Sequence, residues 1–269
     1  MHDEFAERGP TWQEPSHHHR PHGHSMPPTI SIITATLNAQ AHLAQLAEDL
    51  KAQTDTNFVW VVVDGGSTDG TLTAIPNDMP CTVDTVVERD FGIYDALNKG
   101  VRRCSTDYYL VLGADDRLEA DAISRYRDLA ARHDADLIAS SVREDGRIKL
   151  PNRGKPWLRG QNAYIAHHSV GTLIKRRLHE SVGYYSSAFP IAADHLFIKE
   201  AIAGGAKLHG APDFVAGTFC RDGVSSSRYL ACLFEFTLVQ LRTEKLRSLQ
   251  LLILLARIAR HWRTALGGR

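Results

Sequence analysis

The sequence shows no excess of either charge and no long apolar run. Its 31 basic residues balance 31 acidic residues, so no overall field favours nucleic acid or another highly charged partner. No stretch of about 18 uninterrupted apolar residues occurs, which argues against a membrane-spanning helix. Charges interrupt the first apolar run too often for a secretion signal. These absences predict a cytoplasmic protein that does not bind nucleic acid.

Cysteine is scarce and irregularly spaced. No two of the four cysteines form a C-x-x-C pair; they are Cys81, Cys104, Cys220 and Cys232. This spacing is typical neither of a zinc site nor of a small disulfide-rich domain. We therefore expect the thiols to remain reduced.

Glycine-rich phosphate-binding loops are also missing. No G-x-G-x-x-G follows the first predicted strand, and no P-loop occurs anywhere in the sequence. The acidic turn that starts at Asp64 is not a calcium loop, because its twelfth position is Ile75 instead of glutamate. A bound nucleotide would therefore be held without a glycine-rich cradle.

Residues 28–225 contain alternating strand and helix signals. Apolar runs predict strands at Thr29–Thr34, Phe58–Val63, Val83–Val87, Tyr108–Leu112 and Asp136–Val142. Helical spacing predicts helices at Ala39–Ala52, Ile93–Arg102, Arg117–Arg132 and Asp194–Ile202, and the turn Asp64–Gly70 has the chemistry of a helix start. This alternation predicts an α/β fold with a Rossmann-like, doubly wound, mostly parallel sheet flanked by helices.

The two ends of the chain differ from this central part. Residues 1–27 are polar and lack apolar periodicity, which predicts a disordered tail whose five histidines at 17–24 have no fixed ligand geometry. Residues 226–269 carry eight basic and two acidic residues, a local net charge of +6. Leucines and Trp262 between Leu249 and Leu266 predict a basic amphipathic helix.

Two interpretations of this C-terminal helix remain open. A basic amphipathic helix with a tryptophan is typical of a segment that lies on an anionic membrane surface. Alternatively, the helix packs back on the main domain or on a second protomer, which would give a homodimer. The first interpretation would place the protein on the inner face of the cytoplasmic membrane.

Polar side chains follow four successive predicted strands. They are Thr36 and Asn38 after the first, Asp64 after the second, Glu88 and Asp90 after the third, and Asp115 and Asp116 after the fourth. In a doubly wound sheet, ligands bind in the crevice beyond the C-terminal ends of the strands. The sequence therefore predicts a binding site at this edge of the sheet.

The acidic residues after the second and the fourth predicted strand suggest specific chemistry. The adjacent carboxylates of Asp115 and Asp116 would repel each other unless a cation joined them, and oxygen ligands suit Mg²⁺ or Mn²⁺. A diphosphate would supply further oxygens. Asp64 could accept hydrogen bonds from a nucleoside. Alternatively, Asp115 or Asp116 caps a helix that starts near Leu118, and Asp64 only forms a turn.

Six short motifs, in order over residues 30–226, resemble the inverting, GT-A-fold glycosyltransferases of family 2. The resemblance is strongest to the branch found in bacterial polysaccharide biosynthesis. The motifs are Thr34–Asn38, Val63–Thr71, Glu88–Gly100, Leu112–Asp116, Ala193–His195 and Gly223–Ser225. The resemblance implies a GT-A fold and transfer of a sugar from a nucleotide sugar (UDP, GDP or dTDP) to a saccharide or lipid-linked saccharide.

The resemblance also implies roles for individual residues. Thr36 and Asp64 would bind the nucleoside, Asp90 and Lys99 would lie near the donor, and Asp115 would contact ribose or the metal shell. Asp116 would bind Mn²⁺ or Mg²⁺ directly, and Asp194 would be the catalytic base. His168 would contact the acceptor or the diphosphate, although a structural role fits this histidine equally well.

Several positions depart from the family pattern. Leu37 replaces a common aromatic residue, and Gly65, Gly113 and Ala193 stand where acidic residues are frequent. These departures keep open a second hypothesis, a non-catalytic nucleotide- or sugar-binding module with a degenerate GT-A fold. A nucleotidyltransferase ranks last, because Thr34–Asn38 lacks the glycine-rich, basic loop of that class. Gly223–Ser225 is a candidate loop that closes over the donor.

Overall fold

A single sheet of nine strands organises the part of the chain that the structure, a computed structural model, describes: residues 26–151, 154–220 and 229–267. The strand order is β3-β2-β1-β4-β8-β6-β9-β5, and β7 pairs with β6 as a hairpin. The strands are β1 (Ile30–Thr36), β2 (Phe58–Asp64), β3 (Thr82–Val87), β4 (Tyr108–Val111), β5 (Arg117–Leu118), β6 (Leu137–Glu144), β7 (Arg147–Lys149), β8 (Thr172–Lys175) and β9 (Leu208–Thr218).

The first four strands form the predicted parallel unit. β1 lies between β2 and β4, and β3 continues the sheet beyond β2, with every pair parallel. β1, β2 and β4 are buried on both faces, which is why β2 is almost continuously apolar, whereas the edge strand β3 is partly exposed. Because the pairs are parallel, their C-terminal ends meet at one edge, and Thr36 lies directly opposite Asp64.

Beyond β4 the sheet changes direction. β8 runs antiparallel to both β4 and β6, whereas β6 and β9 are parallel to each other. The long strand β9 then pairs antiparallel with the two-residue strand β5. This second half places the chain around His168 and Ser169, immediately before β8, next to the end of β4.

Helices cover both faces of the sheet, which confirms the predicted doubly wound α/β fold with C-terminal helices. One hydrophobic cluster joins the sheet to α1 and α3, and a second joins its other face to α2 and α6. The helices are α1 (Gln40–Lys51), α2 (Ile93–Arg103), α3 (Ala122–Arg132), α4 (Pro156–Arg159), α5 (Leu178–Val182), α6 (Ala193–Ala203), α7 (Tyr229–Thr243) and α8 (Arg247–Gly267).

The predicted helix over Arg117–Arg132 is wrong in its first turn. Arg117 and Leu118 form β5, and α3 begins only at Ala122. The Asp49 carboxylate on α1 accepts hydrogen bonds from the Arg117 guanidinium and from the Leu118 backbone N–H. This tertiary contact holds the segment extended, so neither Asp115 nor Asp116 caps a helix there.

The helix start predicted at Asp64–Gly70 is also only partly correct. The chain makes a single 3₁₀ turn at Thr71–Ala74 after Gly70. The Asp69 carboxylate accepts hydrogen bonds from the backbone N–H and hydroxyl of Thr71. Pro76 follows almost at once and cannot donate a backbone hydrogen bond to extend the turn.

The C-terminal segment docks through α7 on α6. The Glu235 carboxylate accepts hydrogen bonds from the backbone N–H groups of Ile191 and Ala192, just before α6. Lys199 on α6 pairs with Glu244. Helix α8 then packs on α7. Within the described ranges, no helix is long and apolar enough to cross a membrane.

Some predictions concern residues that the structure does not describe. They are the tail over residues 1–25 with its histidines, the Gly223–Ser225 loop, and the domain boundary at 225/226.

Candidate functional site

The ends of β1 and β2 bring Thr36 and Asp64 side by side. Asp64 is almost fully buried, and its carboxylate accepts hydrogen bonds from the backbone N–H groups of Gly66 and Ser67 at 2.8 and 2.7 Å. The Ser67 hydroxyl donates a third hydrogen bond at 2.6 Å. Asp64 therefore shapes the turn after β2, as the turn-forming interpretation predicted.

The Thr36 hydroxyl is in a different situation. It is buried, and its Oγ1 makes no hydrogen bond within the described residues. A buried hydroxyl without a partner costs roughly 1–3 kcal/mol. A ligand at this edge that offers a hydrogen-bonding group would remove that cost, which makes Thr36 a plain candidate for ligand contact.

Asp90 reaches over the start of this turn. A Cβ placed on Gly65 would lie 2.5 Å from Oδ2 of Asp90 and 3.5 Å from Cδ1 of Leu37. The other carboxylate oxygen of Asp90 accepts a hydrogen bond from the Gly92 backbone N–H at 3.0 Å. The Asp90 carboxylate therefore lies directly beside Gly65, and the half-exposed Leu37 forms the apolar rim.

The Lys99 ammonium group forms ion pairs with two nearby carboxylates. Its Nζ lies 3.1 Å from Oε1 of Glu88 and 3.3 Å from Oδ2 of Asp95, and it donates a hydrogen bond to the Arg89 carbonyl oxygen. The ammonium group therefore stabilises the loop between β3 and α2. Contact with a donor would require the ammonium to share these bonds.

Asp115 and Asp116 converge on Gly113. A Cβ on Gly113 would lie 2.9 Å from Oδ1 of Asp115 and 2.9 Å from Oδ2 of Asp116. The buried Asp116 carboxylate accepts hydrogen bonds from the backbone N–H groups of Gly113 and Cys220 and from the Ser169 hydroxyl. These bonds fix its orientation in the loop after β4.

The environment of Asp116 fits a divalent cation. Burial, with Asp115 adding to it, raises the pKa of Asp116 to about 6 despite these hydrogen bonds. The described part of the chain has no cluster of three or more acidic, histidine or cysteine side chains that could hold a metal. Mg²⁺ and Mn²⁺ fit such a site, since they commonly use one or two carboxylates plus substrate phosphates.

Asp194 lies at the start of α6 and is held by two donors. Tyr94 donates a hydrogen bond to Oδ1 at 2.6 Å, and the Gln161 side-chain amide donates one to Oδ2 at 2.8 Å. Burial alone would raise the pKa of Asp194, but His168 and these two hydrogen bonds outweigh it and hold the pKa below its usual value. Asp194 is therefore an oriented, ionised carboxylate.

His168 is buried behind this carboxylate. Its Nε2 lies 2.7 Å from the hydroxyl oxygen of Tyr185. Burial lowers the pKa of His168, although the nearby Asp194 opposes this shift. The ring is therefore neutral at physiological pH. The Tyr185 ring in turn lies 5.6 Å from that of Tyr94, so these groups belong to one cluster.

Sequence reasoning missed the side chains that orient the predicted ones. Tyr94 lies inside the motif Glu88–Gly100, and its place in the first turn of α2 was the available signal. Ser169 directly follows His168. Nothing in the sequence pattern indicates Gln161 or Tyr185, because their partners are distant along the chain.

A groove of about 1140 Å³ is lined by residues next in sequence to members of the Asp194 cluster, although Asp194, Tyr94 and Gln161 do not line it. Its wall includes Phe236, whose ring centroid is 4.3 Å from that of His195, the residue after Asp194. Asn162, next to Gln161, also lines it. Apolar and basic side chains dominate, among them Ile148, Leu158, Ile253, Lys149, Arg257 and Arg260.

Solved structures share this fold. The chain is similar to the mannosyltransferase PcManGT from Pyrobaculum calidifontis in complex with GDP-Man and Mn²⁺, with a TM-score of 0.64, 19% identity, and coverage of 82% of this chain and 66% of that one. It is also similar to S. aureus TarS 1-349 in complex with UDP-GlcNAc, with a TM-score of 0.62, 18% identity, and coverage of 88% and 74%.

Curated relatives share part of the sequence. A PGL/p-HBAD biosynthesis glycosyltransferase from Mycobacterium bovis is 38% identical over 120 residues, which are 43% of this chain and 47% of the relative. An uncharacterized glycosyltransferase from Mycobacterium tuberculosis is 32% identical over 91 residues, 34% of this chain and 35% of that protein. The match thus spans about half the length of the first relative.

The match to a protein family is longer than these pairwise ones. The sequence model of Glycosyl transferase family 2 matches residues 31–202, which cover the parallel unit from the second residue of β1 onward and include Asp194. This match covers more than half of the chain. The chain therefore belongs to glycosyl transferase family 2.

Proposed function

We propose that this protein transfers a glycosyl group from a nucleoside-diphosphate sugar to a hydroxyl acceptor, with inversion at the anomeric carbon. The observation that carries the proposal is the Asp194 carboxylate, held by Tyr94 and Gln161 and ionised at neutral pH. An oriented carboxylate of this kind suits a general base. The product would belong to a cell-surface polysaccharide or glycolipid.

The chemistry follows from one displacement. The acceptor hydroxyl attacks the anomeric carbon while Asp194 takes its proton, and the bond from that carbon to the diphosphate oxygen breaks. Tyr94 and Gln161 fix the two carboxylate oxygens, so the base does not rotate away from the acceptor. A single attack from the face opposite the diphosphate inverts the anomeric centre.

The nucleotide would bind at the C-terminal edge of β1 and β2. Thr36 offers the hydroxyl that lacks a partner, Asp64 holds the turn, and Leu37 offers an apolar surface to the base. Asp116, with Asp115, would hold a Mn²⁺ or Mg²⁺ ion whose charge offsets that of the diphosphate. Asp90 and Lys99 line the loop beside the donor.

The groove beside Asp194 would receive the acceptor. Its apolar walls and the basic side chains of Arg257 and Arg260 match an acceptor with an apolar chain and an anionic group, whereas Lys149 pairs with Glu144, an acidic residue that also lines the groove. A lipid-linked saccharide has that chemistry. Its sugar end would lie towards Asp194, since Phe236 in the groove wall contacts His195.

Thr36→Val tests the nucleotide site. Valine keeps the shape of threonine and removes a hydroxyl that has no partner in the free protein. We expect the melting temperature to stay equal or rise, while nucleotide affinity falls about threefold to tenfold, one hydrogen bond's worth. Calorimetry with UDP, GDP and dTDP in the presence of Mn²⁺ measures the affinity.

Thr34→Val is the matched control. The Thr34 hydroxyl accepts a hydrogen bond from Trp60 Nε1 at 3.1 Å in the core. We expect this variant to lose stability by roughly 1–2 kcal/mol and to keep its nucleotide affinity. Unchanged nucleotide binding in Thr36→Val would contradict the assignment of Thr36. If no nucleotide binds the folded wild-type protein, the degenerate-module hypothesis replaces the enzymatic one.

Asp194→Asn tests the base. We expect nucleotide affinity to remain while sugar transfer falls roughly 100-fold or more, because asparagine cannot take the proton. Transfer from UDP-, GDP- and dTDP-sugars to alkyl glycosides and alkyl phosphate glycosides gives the rate. Glu200→Gln on the same helix, which loses only an ion pair with Arg242, should keep the wild-type rate. Equal rates in all three proteins would rule out Asp194 as the base.

Asp116→Asn tests the cation site, with pH as a second variable. A carboxylate ligand must be deprotonated, and the pKa of Asp116 is about 6. We expect Mn²⁺ to raise the wild-type melting temperature more at about pH 7.5 than at about pH 5. The variant should show neither the increase nor its pH dependence.

The metal-free protein gives an independent check of the same group. The pKa of Asp116 in the folded protein is above its ordinary value of 3.8, so the protonated carboxyl stabilises the folded state. This contribution to the free energy of unfolding is complete below pH 3.8 and is lost as pH rises through about 6. Asp134→Asn is the control of opposite sign. Lys207 and Lys175 lower the pKa of Asp134 to about 2, so its contribution is lost as pH falls. If Mn²⁺ raised the melting temperature of Asp116→Asn as much as that of the wild-type protein, the proposed cation site would be refuted.

The two C-terminal helices present an apolar surface that suits a membrane. Leu230, Phe234 and Leu238 recur every four residues on α7 and are about half exposed. On α8 the exposed large apolar side chains are Leu251, Leu252, Leu255 and Trp262. Anionic lipid adds roughly 1 kcal/mol for each nearby basic residue of this segment. We infer that this surface rests on the inner face of the cytoplasmic membrane.

Co-sedimentation with vesicles of anionic and neutral lipids tests this surface. We expect binding to anionic vesicles that weakens at high salt and falls about tenfold in the double variant Leu255→Gln, Trp262→Gln. The control is Val87→Gln, which changes an exposed apolar residue on the edge strand β3. Absence of binding at low salt, together with a dimer that the double variant dissociates, would assign the surface to a homodimer instead.

A further inference from the structure

Buried side chains form a continuous hydrogen-bonded chain behind the candidate base. Nδ1 of His179 lies 2.9 Å from the Gly183 carbonyl oxygen, and its Nε2 lies 2.7 Å from the Tyr109 hydroxyl oxygen. The Tyr109 oxygen is 2.7 Å from that of Tyr185, which is 2.7 Å from Nε2 of His168. All four side chains are at least nine-tenths buried. Solvent therefore cannot replace these contacts.

The hydrogen bond between His179 and Gly183 fixes the direction of every other hydrogen bond in this series. The Gly183 carbonyl can only accept a hydrogen bond, so His179 carries a proton on Nδ1. His179 stacks against the Phe197 ring at 4.5 Å, and burial lowers its pKa to about 4. The ring is therefore neutral at physiological pH, and Nε2 is an acceptor. Tyr109 must donate to it.

Each following link then has a single direction. A phenol has one proton to donate, and burial raises the pKa of both Tyr109 and Tyr185, so both stay protonated. Tyr109 donates to His179 and therefore accepts from Tyr185. Because Tyr185 donates to Tyr109, it accepts from His168. The proton of His168 thus lies on Nε2.

This polarity leaves Nδ1 of His168 as a lone-pair acceptor. Across the described residues, Nε2 is the ring nitrogen of His168 that makes a hydrogen bond. The ring lies close enough to Asp194 for the two groups to shift each other's ionisation. A neutral imidazole with its proton on Nε2 cannot donate from Nδ1.

We propose that His168 accepts a hydrogen bond from a substrate hydroxyl through Nδ1, and that Tyr185, Tyr109 and His179 are positioning residues that hold it in this tautomer. The assignment rests on the proposed sugar transfer. A lone pair repels the oxygens of a diphosphate, so His168 recognises a sugar hydroxyl beside Asp194 and not the leaving group. A substrate without that hydroxyl would lose the hydrogen bond to this acceptor, which disfavours it.

The tautomer can be measured directly by nitrogen NMR of the histidine rings. We expect His168 in the wild-type protein to be protonated on Nε2 and unprotonated on Nδ1, with its signals assigned by their loss in His168→Asn. In Tyr109→Phe, Tyr185 loses its acceptor and can donate to Nε2 of His168, so the Nδ1-protonated tautomer should gain population. Tyr164→Phe, another buried tyrosine, should leave the tautomer unchanged.

A wild-type ring protonated on Nδ1 would overturn the proposal, as would an equal response in the Tyr109 and Tyr164 variants. The wild-type spectrum decides this even if Tyr109→Phe does not fold. The measurement needs no turnover, so it stands apart from the outcome of the transfer assays.

Nucleotide affinity separates the two ligands that His168 could contact. In His168→Gln we expect the Kd for UDP or GDP with Mn²⁺ to stay unchanged, while the KM for the acceptor or the donor sugar rises. A hydrogen bond to the charged diphosphate would instead weaken nucleotide binding about tenfold or more, which would overturn the assignment. If the wild-type protein binds no nucleotide at all, the proposed transfer fails while the tautomer result still stands.

Discussion

The close approach of α2 to the sheet is the constraint on which the site depends. A Cβ on Gly100 would lie 2.4 Å from Cγ2 of Ile33, so only glycine allows the helix to lie at this distance. The first turn of α2 then brings Tyr94 to within 2.6 Å of Asp194. The loop before the helix holds Asp90 over the turn after β2. One helix thus connects the proposed nucleotide side of the candidate site with the candidate base.

Carboxylates lie beside two glycines of the candidate site that stand where the family pattern frequently has acidic residues. At Gly65 and Gly113, a Cβ would lie 2.5 Å from a carboxylate oxygen of Asp90 and 2.9 Å from those of Asp115 and Asp116, respectively. Asp90 thus supplies a carboxylate beside Gly65 from a different loop, whereas Asp115 and Asp116 belong to the same motif as Gly113. Negative charge therefore remains beside both glycines.

The hydrophobic pattern of the sequence predicted secondary structure correctly wherever the residues of a segment alone determine its conformation. The parallel strands and α1, α2 and α6 were predictable, because continuous apolar runs and helical spacing report burial directly. The pattern failed at Arg117, where the Asp49 carboxylate from a distant helix holds the chain extended. It also gave no sign of β8, whose four residues are too few for a periodic signal and whose antiparallel pairing depends on distant partners.

By itself, the sequence determined the α/β class, the edge of the sheet at which the candidate site lies, and the acidic residues at its strand ends. These follow from periodicity and from parallel pairing, which are properties of short segments. Only the tertiary structure decided that the Thr36 hydroxyl is left without a partner, that Tyr94 and Gln161 orient Asp194, and that His168 ends a directed hydrogen-bond chain. Each of these depends on contacts between residues far apart in the chain, and on the loss of water around them, which no local pattern encodes.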